Sequence, residues 1–355
     1  MSAEEQDKQT KHSAYAEAGV DIDAQDQALD EIKGLVKSTN TPGVMSQLGS
    51  FGGLFKPPAG YEEPILVSSA DGVGTKLMVA RMMEDYSTVG HDLVNHCVND
   101  ILVQGARPMF FMDYVGAGVL EPSAVVALVK GVTAGCVENS CALLGGETAE
   151  MPGFYDVGDY DLVGFIVGIV DRGKLIDGSG IRPGDKILGL KSSGLHTNGY
   201  SLARKILFDK MGLGVADPMP GADGRTVGQE LLAVHRSYLP AVDPILDHSG
   251  LKGLAHITGG GLTDNLPRIL PEGCRVKIEL GTWEPPNLFQ VLEKEGAVER
   301  EEMLRVFNMG IGLTLIVSGD SVDEISAGLR DRGEEPVLIG EVVEGEVGVE
   351  YEGLP

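Results

Sequence analysis

The sequence predicts an α/β protein of two domains, and three observations lead to this prediction. The chain has 355 residues, more than one compact core usually contains. Short apolar segments alternate with stretches of helical periodicity, and 50 glycines are spread along the chain, as many tight turns require. Glycine, proline and charge concentrate at 171–184. We therefore predict an acidic, disordered N-terminus at 1–12, an N-terminal domain at 13–172 and a C-terminal domain at 173–355.

Composition and charge exclude several functional classes. The net charge of −25 disfavours nucleic acids and anionic membranes as partners. No apolar run reaches about 18 residues and no signal-peptide pattern opens the chain, so a cytoplasmic location is expected. The 4 cysteines form no C-x-x-C pair, and three lie in apolar runs. This pattern favours buried, reduced thiols over a metal or redox centre.

The N-terminal domain is predicted to alternate between strands and helices. Apolar residues at Val89, Leu93, Cys97 and Ile101 repeat every four positions, which indicates a helix, and Pro122 suits the first turn of another. Helices are expected at 23–37, 88–105 and 122–139, and strands at 64–70, 109–115, 141–144 and 160–170. Ligand sites in α/β folds gather where strands end, so the polar clusters at these ends are candidate site residues.

The first such cluster follows the strand at 64–70. It contains an acid, glycines, a hydroxyl and a lysine, namely Asp71, Gly72, Gly74, Thr75 and Lys76. Glycines let backbone N–H groups approach a phosphate, lysine supplies positive charge and the acid can hold a metal ion. The spacing is not that of a Walker A loop. The alternative is a tight turn that carries a surface lysine.

Two further clusters lie in the same domain. The helix at 88–105 carries a polar row of short side chains rather than Lys and Glu: Asp92, Asn95, His96, Asn99, Asp100 and Gln104. Asp100 is expected to contact a metal ion or a nucleotide, whereas His96 could equally be a half-buried structural histidine. Glu147 follows the strand at 141–144. The glycine-rich loop at 49–55 is either a mobile surface loop or a flap over a ligand.

The C-terminal domain contributes two candidate loops. A strand at 186–190 leads into SSGLHTNGYS, in which His196 could act as a general acid or base because imidazole titrates near neutrality. The alternative is a histidine that only hydrogen-bonds its own loop. The second loop, AHITGGGLTDN, has three glycines at 259–261 before a helix and is a second candidate phosphate site. A strand is expected at 313–317, and the remainder shows no catalytic cluster.

Together these segments resemble one family, aminoimidazole ribonucleotide synthetase, also called phosphoribosylformylglycinamidine cyclo-ligase. The resemblance is carried, in the family's order, by YAEAGVDI at 15–22, GSFGG at 49–53, DGVGTK at 71–76, CVNDILVQG at 97–105, GGETAEMPG at 145–153, the segment 192–201, TGGGLTDNLP at 258–267 and FNMGIG at 307–312. It covers nearly the whole chain after residue 12.

The resemblance implies ATP-dependent ring closure of formylglycinamidine ribonucleotide to aminoimidazole ribonucleotide, with release of ADP and phosphate, the fifth step of purine synthesis. It implies ATP and Mg²⁺ as cofactors, a small-molecule nucleotide as substrate and a homodimer, with no nucleic acid or membrane partner. The implied fold is a small N-terminal α/β domain whose sheet joins that of a second copy in a dimeric barrel, followed by an α/β sandwich.

The resemblance also implies roles for single residues. Asp71, Asp100 and Glu147 would hold Mg²⁺–ATP, Lys76 would meet its phosphate, and Gly52 and Gly53 would cover it. Further ATP contacts are assigned to Gly72, Gly74, Thr75 and Asn99. Substrate contacts are assigned to His196, Thr197 and Asn198, with Gly259, Gly260 and Gly261 at the 5′-phosphate. Catalytic roles fall to Lys76, Asp100, His196 and Asn198.

Two alternatives remain beside this function. A kinase or amidotransferase of the same superfamily would act on another substrate, although the DGVGTK string favours the cyclo-ligase and no glutaminase domain is present. A non-enzymatic nucleotide-binding or assembly protein would bind nucleotide without turnover.

Overall fold

The computed structural model describes residues 22–46, 49–222 and 224–353. The predicted disorder at 1–12 and most of the YAEAGVDI segment lie outside these residues. Within them the chain forms two sheets, one of four strands and one of six, each packed against helices. The prediction of a two-domain α/β fold is confirmed.

The first sheet has the strand order β1-β4-β2-β3. Its strands are β1 (Pro64–Gly72), β2 (Arg107–Ala117), β3 (Ala142–Glu150) and β4 (Tyr160–Asp171), and the helices of this half are α1 (Ile22–Ser38), α2 (Lys76–Met83), α3 (Val89–Leu102) and α4 (Pro122–Glu138). Strand β4 runs antiparallel to β1 and β2, whereas β2 and β3 are parallel and joined by α4. The parallel pair follows from that crossover, since a hairpin cannot connect parallel strands.

Helices α3 and α4 cover one face of this sheet, and α1 packs on α4. Leu93, Cys97 and Ile101 are fully buried, as the four-residue repeat predicts. The opposite face carries exposed apolar side chains: Leu66, Met112, Val163 and Phe165 are 63%, 38%, 37% and 43% exposed. Strand register places Phe165 beside Met112 and Val163 beside Tyr114 on that face. We call these four apolar residues the open face; the described residues form no closed barrel.

The second sheet has the strand order β10-β7-β9-β5-β8-β6, antiparallel except for β10 and β7. Its strands are β5 (Lys186–Lys191), β6 (Leu251–His256), β7 (Cys274–Glu279), β8 (Ile311–Val317), β9 (Val337–Glu344) and β10 (Val349–Glu352). The helices are α5 (Tyr200–Arg204), continued by a π-helical turn at Lys205–Lys210, then α6 (Val227–Leu231), α7 (Leu239–Val242), α8 (Gly261–Asn265), α9 (Asn287–Gly296), α10 (Arg300–Val306) and α11 (Val322–Arg330). Strand β8, which lies between β5 and β6, is buried at every position.

Polar side chains of α3 join the two halves. Asp92 Oδ1 accepts the N–H of His235 at 2.6 Å, and Asn95 Nδ2 donates to the His235 carbonyl at 2.8 Å. Asn99 donates to the Arg236 carbonyl at 3.0 Å and accepts the N–H of Tyr238 at 3.0 Å. Side chains of helix α3 therefore hydrogen-bond to backbone groups within 235–238, and we call this set of contacts the α3 clamp.

Among the described residues, no helix is long and apolar enough to span a lipid bilayer.

Candidate active site

A cleft of about 370 Å³ lies between the two halves, where β1 and α3 face the end of β6. Its polar lining comes from both halves: Ser68, Ser69, Asp71, His96, Asp100 and Gln104 from the first, and His256, Thr258, Asn265 and Arg268 from the second. The cleft therefore needs both domains, and it combines carboxylates, imidazoles and one guanidinium.

Asp71 and Asp100, two of the predicted acids, meet in this cleft through His96. The His96 Nε2 atom lies 2.8 Å from Asp71 Oδ2 and 3.6 Å from Asp100 Oδ2. His96 and Asp100 are four residues apart on α3 and so share one helix face. Asp100 also lies 2.8 Å from His256 Nδ1 and accepts the Ser69 hydroxyl at 2.9 Å. His96 is thus a member of the cleft rather than an isolated structural histidine.

Charge pairing sets the ionisation of this group. Burial disfavours ionised Asp100, but the hydrogen bond and charge of His256 outweigh it and hold the Asp100 pKa below its usual value. In the same way, burial opposes ionisation of Asp71 while His96 lowers its pKa. Burial would lower the pKa of His96, but the hydrogen bond that His96 donates to Asp71 and the charge of Asp100 raise it. The cleft carboxylates therefore stay ionised at neutral pH.

Behind the cleft lies a cluster of histidines that sequence reasoning assembled only in part. His96 Nδ1 lies 2.6 Å from Thr197 Oγ1, and His235 Nε2 lies 3.1 Å from His256 Nε2. The ring of His196 stacks on that of His235 with centroids 3.9 Å apart. Thr197 thus contacts the histidine that lies between the two acids, and His196 packs against His235. His235 and His256 were missed; His256 could have been found because it lies three residues before the glycines at 259–261, whereas no motif surrounds His235.

His196 has an unusual setting. It adopts a left-handed backbone with φ 62°, which is strained for a residue with a side chain. Its ring is 1% exposed, Nε2 accepts the N–H of Ser193 at 3.1 Å, and Nδ1 has no partner among the described residues. Burial, together with the nearby cationic groups, lowers its pKa well below 6.5. The imidazole is therefore neutral at pH 7.

We expect this neutral, buried imidazole to make stability fall on acidification. Its pKa is lower in the folded than in the unfolded chain, so the unfolded chain binds more protons below about pH 6.5. His196 thus contributes stability that is present above that pH and is lost as pH falls toward the folded pKa. Urea unfolding at pH 7.5, 6.5 and 5.5 should show a shallower decline for His196→Gln than for the parent chain. An equal decline in both proteins would contradict this assignment.

The structure places Lys76 away from the cleft, contrary to the expectation that it meets a phosphate. The side chain is fully buried, and Nζ lies 2.8 Å from Asp92 Oδ2. Nζ also donates to the carbonyls of Ala233 at 2.7 Å and His196 at 3.2 Å. The ammonium group thus has three oxygen atoms within 3.2 Å, one of them from a carboxylate. A phosphate contact would require this buried pair to open.

Asn99 and Glu147 are also separated from the cleft acids. Asn99 is fully buried and its amide belongs to the α3 clamp. Across the strands of the sheet, Asp71 pairs with Gly164, Gly164 with Asp113, and Asp113 with Gly146. Glu147, the residue after Gly146, pairs with Tyr114. Because side chains alternate between faces, Glu147 lies on the opposite face of the sheet from Asp71. Glu147 and Asp71 therefore do not share one ion within a single chain.

The remaining predicted residues do not line the cleft itself, although some are neighbours in the chain of residues that do. Gly72 ends β1, Gly74 lies in the turn before α2, and the Thr75 hydroxyl lies 3.3 Å from that of Ser201. Gly259 lies against Asn198, since a Cβ there would approach the Asn198 amide oxygen at 3.1 Å. Gly260 and Gly261 have φ values of 102° and 59°, and a Cβ on Gly261 would lie 2.0 Å from the Leu304 carbonyl oxygen. The loop with Gly52 and Gly53 is exposed and lies beside Leu144, outside the cleft lining.

Arg268 is a cleft residue that sequence reasoning missed. It lines the cavity, is exposed, and its guanidinium makes no hydrogen bond or ion pair with any residue in the described ranges. A guanidinium with five free donors beside a glycine turn can bind an anionic group bidentately.

Comparison with known proteins identifies the family. Residues 59–170 match the AIR synthase related protein N-terminal domain, and residues 182–352 match the corresponding C-terminal domain. Phosphoribosylformylglycinamidine cyclo-ligase of Trichlorobacter lovleyi is 52% identical over 331 residues, which is 93% of this chain and 95% of the relative. That of Geobacter metallireducens is 52% identical over 341 residues, 96% of this chain and 98% of the relative.

Solved structures show the same fold at low identity. Thiamine-monophosphate kinase from Stenotrophomonas maltophilia K279a superposes with a TM-score of 0.69 at 18% identity, covering 92% of this chain and 96% of that chain. Hydrogenase maturation protein HypE in complex with ATP gives 0.62 at 19% identity, covering 90% and 93%. At such identities the likeness concerns the fold alone. The family domains and the cyclo-ligase relatives show that this chain belongs to the phosphoribosylformylglycinamidine cyclo-ligase family of AIR synthase related proteins.

Proposed function

We propose that this cleft closes the imidazole ring of formylglycinamidine ribonucleotide with the help of ATP, giving aminoimidazole ribonucleotide, ADP and phosphate. The observation that supports this most directly is the pairing of Asp71 and Asp100 in a cleft that also contains Arg268. Carboxylates suit the metal of a nucleotide, while a free guanidinium suits the phosphate of a ribonucleotide. The relatives that share about half of the sequence carry the name of this reaction.

The carboxylates fit Mg²⁺–ATP in number and kind. Mg²⁺ in phosphoryl-transfer sites is held by one or two carboxylates together with substrate phosphates and water. Asp71 and Asp100 provide two such groups, both with lowered pKa values. Bound there, Mg²⁺ would neutralise charge on the phosphoryl oxygens. In a protein of net charge −25, this neutralisation offsets the repulsion between the acids and the triphosphate.

On the substrate side, Arg268 and the turn at 259–261 are assigned to the 5′-phosphate. Asn198 lies against Gly259, so the amide is placed to hold the part of the substrate next to that phosphate. The reaction then depends on holding the formyl oxygen in line with ATP, with no protein nucleophile required. His196, being buried and neutral, is assigned to shaping this wall rather than to proton transfer.

The reaction itself can be tested directly. Purified protein is incubated with ATP, Mg²⁺ and formylglycinamidine ribonucleotide, and both ADP and aminoimidazole ribonucleotide are measured. ADP release no higher than in a substrate-free control would refute the proposed function. Thiamine monophosphate serves as the competing substrate, since a kinase shares the fold; its phosphorylation in place of ring closure would favour the superfamily kinase.

We expect Arg268→Gln to weaken substrate binding more than turnover. Loss of a charge-assisted hydrogen bond costs about 1.5–3 kcal/mol, so KM for the ribonucleotide should rise by roughly 10-fold to 150-fold. The KM for ATP should change little. Arg332→Gln is the control, because Arg332 belongs to the exposed segment at 330–333 rather than to the cleft. Equal KM values for Arg268→Gln and the parent chain would remove Arg268 from the site.

We further propose a homodimer formed through the open face. A sheet that is covered by helices on one side and open to solvent on the other usually exposes polar residues on the open side, yet here Leu66, Met112, Val163 and Phe165 are exposed. A second copy that stacks on the open face would bury them. Glu147 lies on the same side as the open face, so in the dimer it would point toward the second copy.

Phe165→Glu is expected to convert the dimer into a monomer, because it would bury a charge in the contact. Sedimentation velocity at micromolar concentration measures the mass. Val347→Glu, at a residue 44% exposed in the other domain, is the control and should leave the dimer intact. A monomeric parent chain, or a Phe165→Glu variant that remains dimeric, would contradict the proposed contact.

A further inference from the structure

We propose that Asp71, His96, Asp100 and His256 form a binding site for a zinc-class divalent cation in the nucleotide-free protein. These side chains come from the end of β1, from one face of α3 and from the end of β6. They meet at the cleft and offer two imidazole nitrogens and two carboxylates. The family resemblance implies only Mg²⁺–ATP, for which imidazoles are not needed.

The separations suit a four-coordinate ion. In a tetrahedral zinc site with bonds of about 2.0–2.1 Å, neighbouring ligand atoms lie roughly 3.3 Å apart. Here His96 Nε2 lies 2.8 Å from Asp71 Oδ2 and 3.6 Å from Asp100 Oδ2, while His256 Nδ1 lies 2.8 Å from Asp100 Oδ1. The ligand atoms of His96, Asp100 and His256 all lie within 4.8 Å of one another. Small side-chain rotations would therefore bring these three to one ion, and Asp71, held 2.8 Å from His96 Nε2, is the candidate fourth ligand.

The groups behind the ligands select the tautomers that a metal requires. If His96 binds through Nε2, its proton is on Nδ1, which lies 2.6 Å from Thr197 Oγ1. If His256 binds through Nδ1, its proton is on Nε2, which lies 3.1 Å from the acceptor nitrogen of His235. Each of the two ligand imidazoles then carries one proton with an acceptor in place. Metal-bound histidines in proteins are oriented by this kind of second hydrogen bond.

The donor set favours a particular class of ion. Imidazole suits Zn²⁺, Co²⁺, Ni²⁺ and Cu²⁺, whereas Mg²⁺ prefers oxygen ligands in octahedral geometry. Two carboxylates also balance the charge of a divalent ion. On the proposed function, the same carboxylates hold the metal of ATP, so a zinc-class ion and Mg²⁺–ATP would exclude each other.

A neighbouring group of His196, His235 and His256 is a poorer site. Its ligand atoms also lie within 4.8 Å of one another. However, the rings of His196 and His235 stack with an interplanar angle of 17° and centroids 3.9 Å apart. Ring nitrogens bind metals in the plane of the ring, so two nearly parallel rings cannot direct their lone pairs at one ion. His235 is therefore assigned to the support of His256.

Cobalt reports on such a site, because four-coordinate Co²⁺ absorbs visible light far more strongly than the six-coordinate ion. The full chain is titrated with Co²⁺ and then with Zn²⁺, without nucleotide. We expect an intense visible band that Zn²⁺ abolishes and excess Mg²⁺ does not. A weak six-coordinate spectrum from the parent chain would overturn the proposal, whatever the outcome of the ring-closure assay.

Variants locate the ion. His96→Gln and His256→Gln should each lose the intense band, whereas His248→Gln should keep it, since His248 pairs with Glu324 elsewhere. Asp71→Asn is added because its side chain is 45% exposed and the substitution leaves the core intact. Thr197→Val, which removes the acceptor of His96, should lower Zn²⁺ affinity by about 10-fold to 100-fold. Retention of the parent spectrum in both His96→Gln and Asp71→Asn would overturn the assignment.

Discussion

Asp100→Asn should lower kcat for ring closure by a factor on the order of 10³ while the protein remains folded. Asp100 lies at the centre of the cleft, where it contacts His256 and Ser69 and lies 3.6 Å from His96. The amide preserves the shape of the carboxylate but removes the charge that we assign to the metal of ATP. Initial rates at saturating ATP and substrate, with product detected by mass spectrometry, measure the effect.

Asp247→Asn is the matched control for Asp100→Asn. Asp247 is a carboxylate with a side chain 56% exposed that pairs with Lys174 away from the cleft. Its substitution should leave kcat within about twofold, as expected of an exposed pair. If Asp100→Asn retained more than a tenth of the parent kcat, Asp100 would not be a catalytic residue.

Lys76→Met should destabilise the fold by about 3–5 kcal/mol, the usual cost of removing one partner from a buried ion pair. Burial lowers the pKa of Lys76 and raises that of Asp92, and their mutual attraction opposes both shifts. Methionine fits the space of the lysine stem, but it leaves the Asp92 charge buried with only the N–H of His235. Urea unfolding followed by circular dichroism measures the loss.

Two further variants separate charge pairing from lost packing. Lys130→Met breaks a pair with Glu31 whose side chains are 52% and 50% exposed, so it should cost no more than about 1 kcal/mol. The double variant Lys76→Met with Asp92→Leu removes both buried charges and should recover much of the lost stability. If Lys76→Met lowered the free energy of unfolding as little as Lys130→Met does, Lys76 would not be the buried ion-pair partner that the structure shows. Strong inactivation of a Lys76→Met protein of unchanged stability would instead restore the predicted phosphate contact.

Periodicity and turn chemistry predicted much of the first domain. The helices expected at 88–105 and 122–139 correspond to Val89–Leu102 and Pro122–Glu138, and the strand at 160–170 to Tyr160–Asp171. These elements have one clear apolar face or a clear boundary residue. Strands β6 and β7, Leu251–His256 and Cys274–Glu279, were not predicted individually.

The residue types of the candidate site could be predicted from the sequence, but the directions of their side chains could not. Asp71 was found because it lies at a strand end, and Asp100 because it belongs to the polar row of a helix. The structure brings both to the cleft. Glu147 has the same local pattern, yet the register of β3 turns it to the other face of the sheet. Lys76 resembles a phosphate-binding lysine, but its partner Asp92 approaches only once the fold forms. Side-chain direction and partners distant in the chain are set by tertiary packing, which local pattern cannot supply.

The α3 clamp has a consequence for motion. Its hydrogen bonds cross between the two halves and end on backbone groups of His235, Arg236 and Tyr238, and Asp92 of the clamp is also the partner of the buried Lys76. Hinge bending between the halves would break all of them together. Nucleotide and substrate should therefore enter and leave through loop displacements, and hydrogen exchange of the amides of His235 and Tyr238 should proceed only by global unfolding.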